Sequence, residues 1–368
     1  MSGLDADAVR ARLDELLPRR APRATRALLG AGIDVDRALA DGRAYLDGVA
    51  EQGWGTPRWP REHGGAELDE ADADRLQAIL ADYERPDLYP FLIGLSMVGP
   101  ILIAHGTDEQ RRRYLDPIRR GAEVWCQLFS EPEAGSDLAA LRTRAVPDGD
   151  EWRIDGHKLW VSRAAFAAHG LLLARTGASD SKHAGITAFV LPMDAPGVRI
   201  EPIVQMNRDE HFYEVHLEDV RLPDAHRIGP VDGGWRVAMG TLERERASVA
   251  DAGIGPEIVV ALLREHGAAN DPAWTSRAAS ALVAASLPGI GAEVGRSVGG
   301  KLLLAAAGRE IAALARDMRG QAVAVEAGPW ATLDLTAPSL SIRGGTDEVQ
   351  LNVIAERTLG LPREPRRS

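Results

Sequence analysis

Four stretches of the 368-residue chain carry side chains that could hold a ligand or move a proton. Residues 125–137, WCQLFSEPEAGSD, present the hydroxyls of Ser130 and Ser136 among turn formers, and residues 151–162, EWRIDGHKLWVS, close on Trp160 and Ser162. The run TLERERAS sets Glu243 and Glu245 in a helical pattern, and IRGGTDE sets Thr346 and Glu348 behind paired glycines. A hydroxyl can donate to the polar edge of a ligand, an indole supplies a flat apolar wall, and a positioned carboxylate can act as a general base. Each also has a plainer use: serines cap turns, a strand tryptophan fills a core, and an ERER run forms a solvated helix face with local ion pairs. Two residues along a helix is a rotation of about 200°, so Glu243 and Glu245 cannot both enter one pocket.

The remaining reactive residues are read more simply. Cys126 is the single cysteine, so neither an internal disulfide nor a cysteine-type metal site is expected. His63, His105, His157 and His211 lie in or beside motifs, but none has metal-ligand spacing; they are read as structural or solvent-facing, and no metal is expected. With 43 basic and 54 acidic residues the chain carries a formal charge of −11, which disfavours nucleic acid as a partner. The first twenty residues intersperse acids with apolar positions, and no window reaches 18 uncharged apolar residues, so a cytoplasmic protein without membrane insertion is expected.

The elements that must position these residues follow from hydrophobic period. Residues 8–17, 35–52, 72–83 and 110–119 repeat apolar side chains at three- and four-residue spacing and read as helices. Residues 53–65 and 89–100 cluster Trp, Pro and Gly without a period and read as loops. From about residue 123 short β-like runs follow, at 151–162, 170–175, 185–191 and 214–222, with PDGD at 147–150, DG at 155–156 and PDAH at 223–226 as connections. Helical patterns return at 235–249, 257–266, 274–285, 301–318 and 347–359. Helices and strands do not alternate and no GxGxxG follows a strand, which excludes a doubly wound nucleotide-binding sheet and predicts an α+β, mainly α, protein.

In order, these stretches resemble the signatures of the acyl-CoA dehydrogenase family. FSEPEAGSD stands where the family has TEPxAGSD. It is followed by GHKLWVS at 156–162, GITAFVLPMDAPGV at 185–198, EHFYEVHLEDVRLPDAHRIG at 210–229, GWRVAMGTLERERAS at 234–248 and IRGGTDEVQLNVIAERTLGLPRE at 342–364. GWGTPRWPREHGG and GPILIAHGTDEQRRRYL add matches nearer the N-terminus. The resemblance implies an N-terminal helical domain over residues 1–122, a central β-domain over 123–231 and a C-terminal four-helix bundle over 232–368, the same helical–β–helical order that the periodicity gives.

The family removes the α-proton of an acyl thioester while FAD takes the β-hydrogen as hydride, leaving a trans-2-enoyl thioester. By this resemblance FAD is held by Leu128, Ser130, Ser136, Trp160 and Ser162, with Ser130 or Ser162 donating to the flavin and Trp160 walling its ring. Many members carry the base immediately before a Gly-Thr pair, but here that position is Gly344. A second group places the glutamate on a helix directly before an arginine, and Glu245–Arg246 fills that place, which makes Glu245 the expected base. Arg246 then lies beside the substrate and orders the helix, or serves as an ion-pair partner. Gly344 retains the backbone N–H that, with a ribityl hydroxyl of FAD, binds the thioester oxygen in the family, and leaves room for a branched or bulky acyl chain. Thr346 and Glu348, with Arg277, stand where relatives contact the FAD of a neighbouring subunit; the Gln-x-x-Gly-Gly element of many members is not legible at 318–328, and the connector before Lys301 is short.

The resemblance further implies an acyl-CoA substrate, an electron-transfer flavoprotein as acceptor, and a homodimer or homotetramer. Alternatives are an oxidase, a dehydrogenase of carrier-protein thioesters, and a noncatalytic subunit of a heterotetramer sharing one flavin site.

Overall fold

The structure is a computed structural model that describes residues 4–19, 34–177, 181–249, 254–267, 271–293, 299–326 and 328–362, with backbone alone at 246–249 and 289–293. Two compact units divide it: one takes the N-terminal helices and the sheet as far as Arg244, the other Gln205–Asp209 and the chain from Glu245 onward.

The first unit opens on α1 (Ala6–Leu16), α2 (Val35–Gly48), α3 (Glu70–Leu80), α4 (Gly99–His105) and α5 (Asp108–Arg119). Their starts are chemically marked. Asp5, Asp34 and Asp69 each accept hydrogen bonds from first-turn N–H groups, and Thr107 with Gln110 forms a reciprocal capping box. Residues 89–100, expected as a loop, are helical instead: a 3-10 turn at Tyr89–Phe91, a π turn at Ile93–Val98 and the start of α4. Pro90 stands at the first turn of the 3-10 helix, where a missing N–H costs nothing, and Pro100 follows directly on the π turn, so the prolines that broke the period lie within helical backbone.

The sheet follows: β1 (Trp125–Leu128), β2 (Arg144–Asp148), β3 (Glu151–Ser162), β4 (His169–Arg175), β5 (Ile186–Pro192), β6 (Val198–Ile203), β7 (Phe212–Pro223) and β8 (Arg227–Ile228), in the order β6-β7-β3-β2-β4-β5-β8 with β1 parallel to β4. PDGD forms the β2–β3 hairpin, with Asp148 opposite Glu151 and Gly149 at φ +68°. The DG at 155–156 is not a connection. It lies inside β3, where the register against β7 slips, and the Asp155 carboxylate accepts from the Asp219 N–H at 2.9 Å. PDAH closes β7 as a 3-10 turn at Asp224–His226. Inward residues of β3, β4, β5 and β7, among them Ile154, Leu172, Phe189 and Val215, form one buried cluster.

Beyond the sheet run α6 (Gly234–Val249), α7 (Pro256–Glu265), α8 (Pro272–Glu293), α9 (Gly300–Arg319), α10 (Ala322–Val325), α11 (Pro329–Thr336) and α12 (Asp347–Val353). In the second unit Val259 and Leu262 of α7, Ala281 of α8, Leu304 and Ile311 of α9, and Trp330 and Leu333 of α11 share a core, so four helices pack around one apolar centre. Among the described residues no helix is long and apolar enough to cross a membrane.

Candidate functional site

In the first unit the end of β3 is bent on purpose. Lys158 pairs with Val215 but Val161 pairs with Tyr213, so β3 carries one extra residue there. Trp160 lies in this bulge at φ +59°, 54% exposed, with its ring edge-on to Phe212 at 5.8 Å. The reading of Trp160 as a core aromatic is therefore overturned, because the left-handed backbone turns the indole out. In the same bulge the Leu159 N–H donates to the Ser130 carbonyl at 2.9 Å, which ties the 129–137 loop to the strand and gathers Ser130, Trp160 and Ser162.

Beneath the bulge lies a pair that sequence reasoning passed over. Lys158 points inward, fully buried, and donates to the Glu131 carboxylate at 2.7 Å and to the Phe129 carbonyl at 3.1 Å. Glu131 also accepts from the backbone N–H groups of Arg142 and Thr143, at 2.6 and 2.9 Å. Burial pulls the Lys158 ammonium down to about 8 against the attraction of Glu131. Burial pushes the Glu131 carboxyl up, but the Lys158 charge and the hydrogen bonds outweigh it and hold it below the ordinary glutamate value. The pair is ionised at neutral pH and pins both flavin-type segments to one scaffold. Its signal was in the sequence: Trp152, Ile154 and Val161 face inward along β3, and a lysine sharing that face must find a carboxylate.

Leu128 is fully buried in β1, so only its backbone can serve a ligand, while Ser136 is exposed and Ser130 and Ser162 are half-buried. Next to Ser162, Arg163 is buried at φ +64°, with its guanidinium 3.7 Å from the centre of the Tyr89 ring and its N–H donating to the His211 carbonyl at 2.9 Å. Arg163, Tyr89 and buried His211 thus wall this end of the strand; Tyr89 went unnoticed because its segment lacks a period.

In the second unit Glu245 lies half-buried near the end of α6, and the side chain of Arg246 lies outside the described residues. Glu243, just before the unit boundary on the same helix, is exposed. Gly344 and Gly345 both take left-handed backbone, φ +67° and +85°. Thr346 caps α12, its hydroxyl accepting from the Val349 N–H at 3.2 Å. Asp347 pairs with buried Lys301 at 2.7 Å, and Gln350 donates to the Gly344 carbonyl at 3.4 Å, so the glycine loop is anchored from both ends. Glu348 is exposed, and Arg277 is an exposed residue of α8 paired with Asp317 of α9.

Comparison with known proteins decides what this arrangement belongs to. Residues 8–122, 126–220 and 269–359 match, in order, the N-terminal, middle and C-terminal domains of acyl-CoA dehydrogenases. The acyl-CoA dehydrogenase IpdE1 of Mycobacterium tuberculosis is 39% identical over 349 residues, covering 89% of this chain and 90% of its own. The chain belongs to the acyl-CoA dehydrogenase family. Among solved structures, the Tcur3481-Tcur3483 steroid ACAD superimposes with TM-score 0.74 at 27% identity, covering 98% of this chain and 97% of its own. The ChsE4-ChsE5 complex of Mycobacterium tuberculosis does so with TM-score 0.74 at 28% identity, with the same coverage.

Membership makes the chain an oxidoreductase of the acyl-CoA dehydrogenase type, in a family that is generally FAD-dependent. The residues present suit that group. Two serine hydroxyls and an outward indole, brought together by the Leu159–Ser130 hydrogen bond, are the donor set and flat wall that an isoalloxazine requires.

Proposed function

We propose that this acyl-CoA dehydrogenase holds FAD with Ser130, Ser136, Trp160, Ser162 and the Leu128 backbone, and oxidises an acyl-CoA to the trans-2-enoyl thioester. The observation that carries the reading is the bulge that exposes Trp160 beside Ser130 and Ser162, a left-handed backbone that a bulky residue seldom takes. FAD, when bound, supplies the acceptor for the β-hydrogen and its two electrons. Glu245 takes the α-proton, breaking the C–H bond whose electrons form the new double bond. The Gly344 N–H donates to the thioester oxygen and stabilises the charge that develops there as the proton leaves. Thr346, Glu348 and Arg277 serve the far end of FAD, across a subunit interface, and Arg246 orders the helix beside the substrate. Electrons pass on to an electron-transfer flavoprotein.

The acyl group is a bulky one, of the steroid-derived kind. Gly344 removes the side chain that many members place there, and a 27%-identical relative is named a steroid ACAD. Anaerobic mixing of the yellow protein with a panel of acyl-CoA thioesters tests the reading: flavin bleaching by bulky acyl-CoAs that is lost in Glu245→Gln supports it, and bleaching that survives in the variant overturns the assignment of the base.

A second reading is favoured by one observation, that relatives of this fold are named as pairs of unlike chains. In that case the chain shares a flavin site with a partner. A protein that is colourless alone and yellow only when produced with a partner would decide for it.

A further inference from the structure

The outer face of β3, β7 and β6 brings together four side chains, of which only Glu214 and His216 are related by linear spacing. His157 of β3 stands directly opposite His216 of β7, and Glu201 of β6 stands opposite Glu214, two residues before His216 and hence on the same face. Nε2 of His157 lies 2.8 Å from a Glu214 carboxylate oxygen, and Nε2 of His216 lies 3.7 Å from the same oxygen and 3.8 Å from Glu201. The two imidazoles stack with centroids 4.2 Å apart and planes 15° from parallel. Nε2 of His216 is shielded from solvent yet makes no hydrogen bond among the described residues, although it faces both carboxylates.

We propose that His157, His216 and Glu214 form a zinc-type divalent metal site on this face. One ligand atom from each already lies within 4.8 Å of the others. Zinc held tetrahedrally at roughly 2.0–2.1 Å from each would set them about 3.4 Å apart, so the 2.8 Å His157–Glu214 pair opens, the 3.7 Å His216–Glu214 pair closes, and the two rings turn out of their stack by rotation of partly buried side chains. Two imidazole nitrogens with a carboxylate select zinc and its neighbours over magnesium or calcium, which prefer oxygen. Glu201 is held by Arg199 at the rim and completes the fourth position directly or through water. The carboxylates of Glu214, Glu201 and Glu218 against the single Arg199 guanidinium leave an acidic patch that suits a dication. His157 is on the face of β3 opposite to buried Lys158 and three residues, about 10 Å, from Trp160, so the metal clips three strands together and takes no part in dehydrogenation.

Zinc chloride titrated calorimetrically into the chelator-treated, flavin-loaded full chain tests this, with cobalt chloride as a visible-absorption reporter of nitrogen ligation. The expected result is one equivalent bound, a rise in Tm on binding, and at least tenfold weaker affinity in His157→Ala/His216→Ala with flavin content unchanged. Glu214→Gln, which keeps the side-chain shape, is expected to weaken binding similarly and carries the test if the double variant fails to fold. Absence of binding to the unaltered protein, or equal affinity in the folded variants, would overturn the site.

Discussion

The Lys158 ammonium lies 2.7 Å from the Glu131 carboxylate, with both side chains buried, and this contact joins the two segments that carry Ser130, Trp160 and Ser162. Removing one member leaves the other charged without its partner in a dry interior. Lys158→Met is expected to cost about 3–5 kcal/mol and to release flavin during purification. Lys158→Met/Glu131→Gln should cost less than the single change, since no buried charge is stranded. Urea denaturation of the three proteins checks the order; a single variant as stable as the parent would remove the pair from the scaffold.

The same carboxylate sets an acid response. Burial raises the Glu131 value and the Lys158 charge with its hydrogen bonds lowers it further, so the folded value lies below the ordinary 4.5. A carboxyl depressed on folding contributes stability that is complete above its unfolded value and is lost as pH falls through its folded one. Tm should therefore drop as pH falls below about 4.5, and Glu131→Gln should flatten that part of the curve while lowering Tm at neutral pH. Parallel curves for the two proteins would mean that other carboxylates govern the acid limb.

Trp160 separates stability from cofactor binding. An indole 54% exposed loses little packing on truncation, so Trp160→Ala should leave the urea midpoint within about 0.5 kcal/mol. Loss of a flat wall should nonetheless weaken flavin retention, read as the ratio of visible to protein absorbance after gel filtration. An unchanged ratio would leave the bulge without a function.

Much of this was legible in order and type, and the misses share a cause. The β3 and β7 spans were readable because apolar residues recur along them, and helical runs such as 301–318 because of their period. Residues 89–100 and the DG at 155–156 misled because Pro and Gly mark both loops and the starts or bulges of regular elements. The Lys158–Glu131 pair spans 27 residues, and the His157–His216 stack joins separate strands, so both depend on register that linear spacing does not carry.

Glu245 and Glu243 offer a controlled comparison on one helix. Glu245 is half-buried while Glu243 is exposed. Glu245→Gln should retain the yellow colour and lose about 10²–10⁴-fold in the rate of anaerobic bleaching, whereas Glu243→Gln should stay within about twofold. If the two variants behave alike, the base is elsewhere.

Gly344 tests acyl bulk, and two effects must be kept apart. At φ +67° any side chain strains the backbone by about 1–2 kcal/mol, independent of substrate. Gly345→Ala is a same-loop control: it carries the same left-handed strain at φ +85° plus a clash of its Cβ with Nε2 of Gln350 at 2.7 Å, a combined cost that is likewise independent of the acyl group. In Gly344→Ala and Gly344→Val the added volume should instead tell by substrate. Bleaching by bulky, branched acyl-CoAs should fall first and furthest, and short straight-chain acyl-CoAs should lose no more than they do in Gly345→Ala. The measured quantity is kcat/KM across the acyl panel for the four proteins. A loss equal at every chain length would assign the whole effect to a displaced oxyanion N–H, and the extra room at Gly344 would then have no bearing on the acyl group.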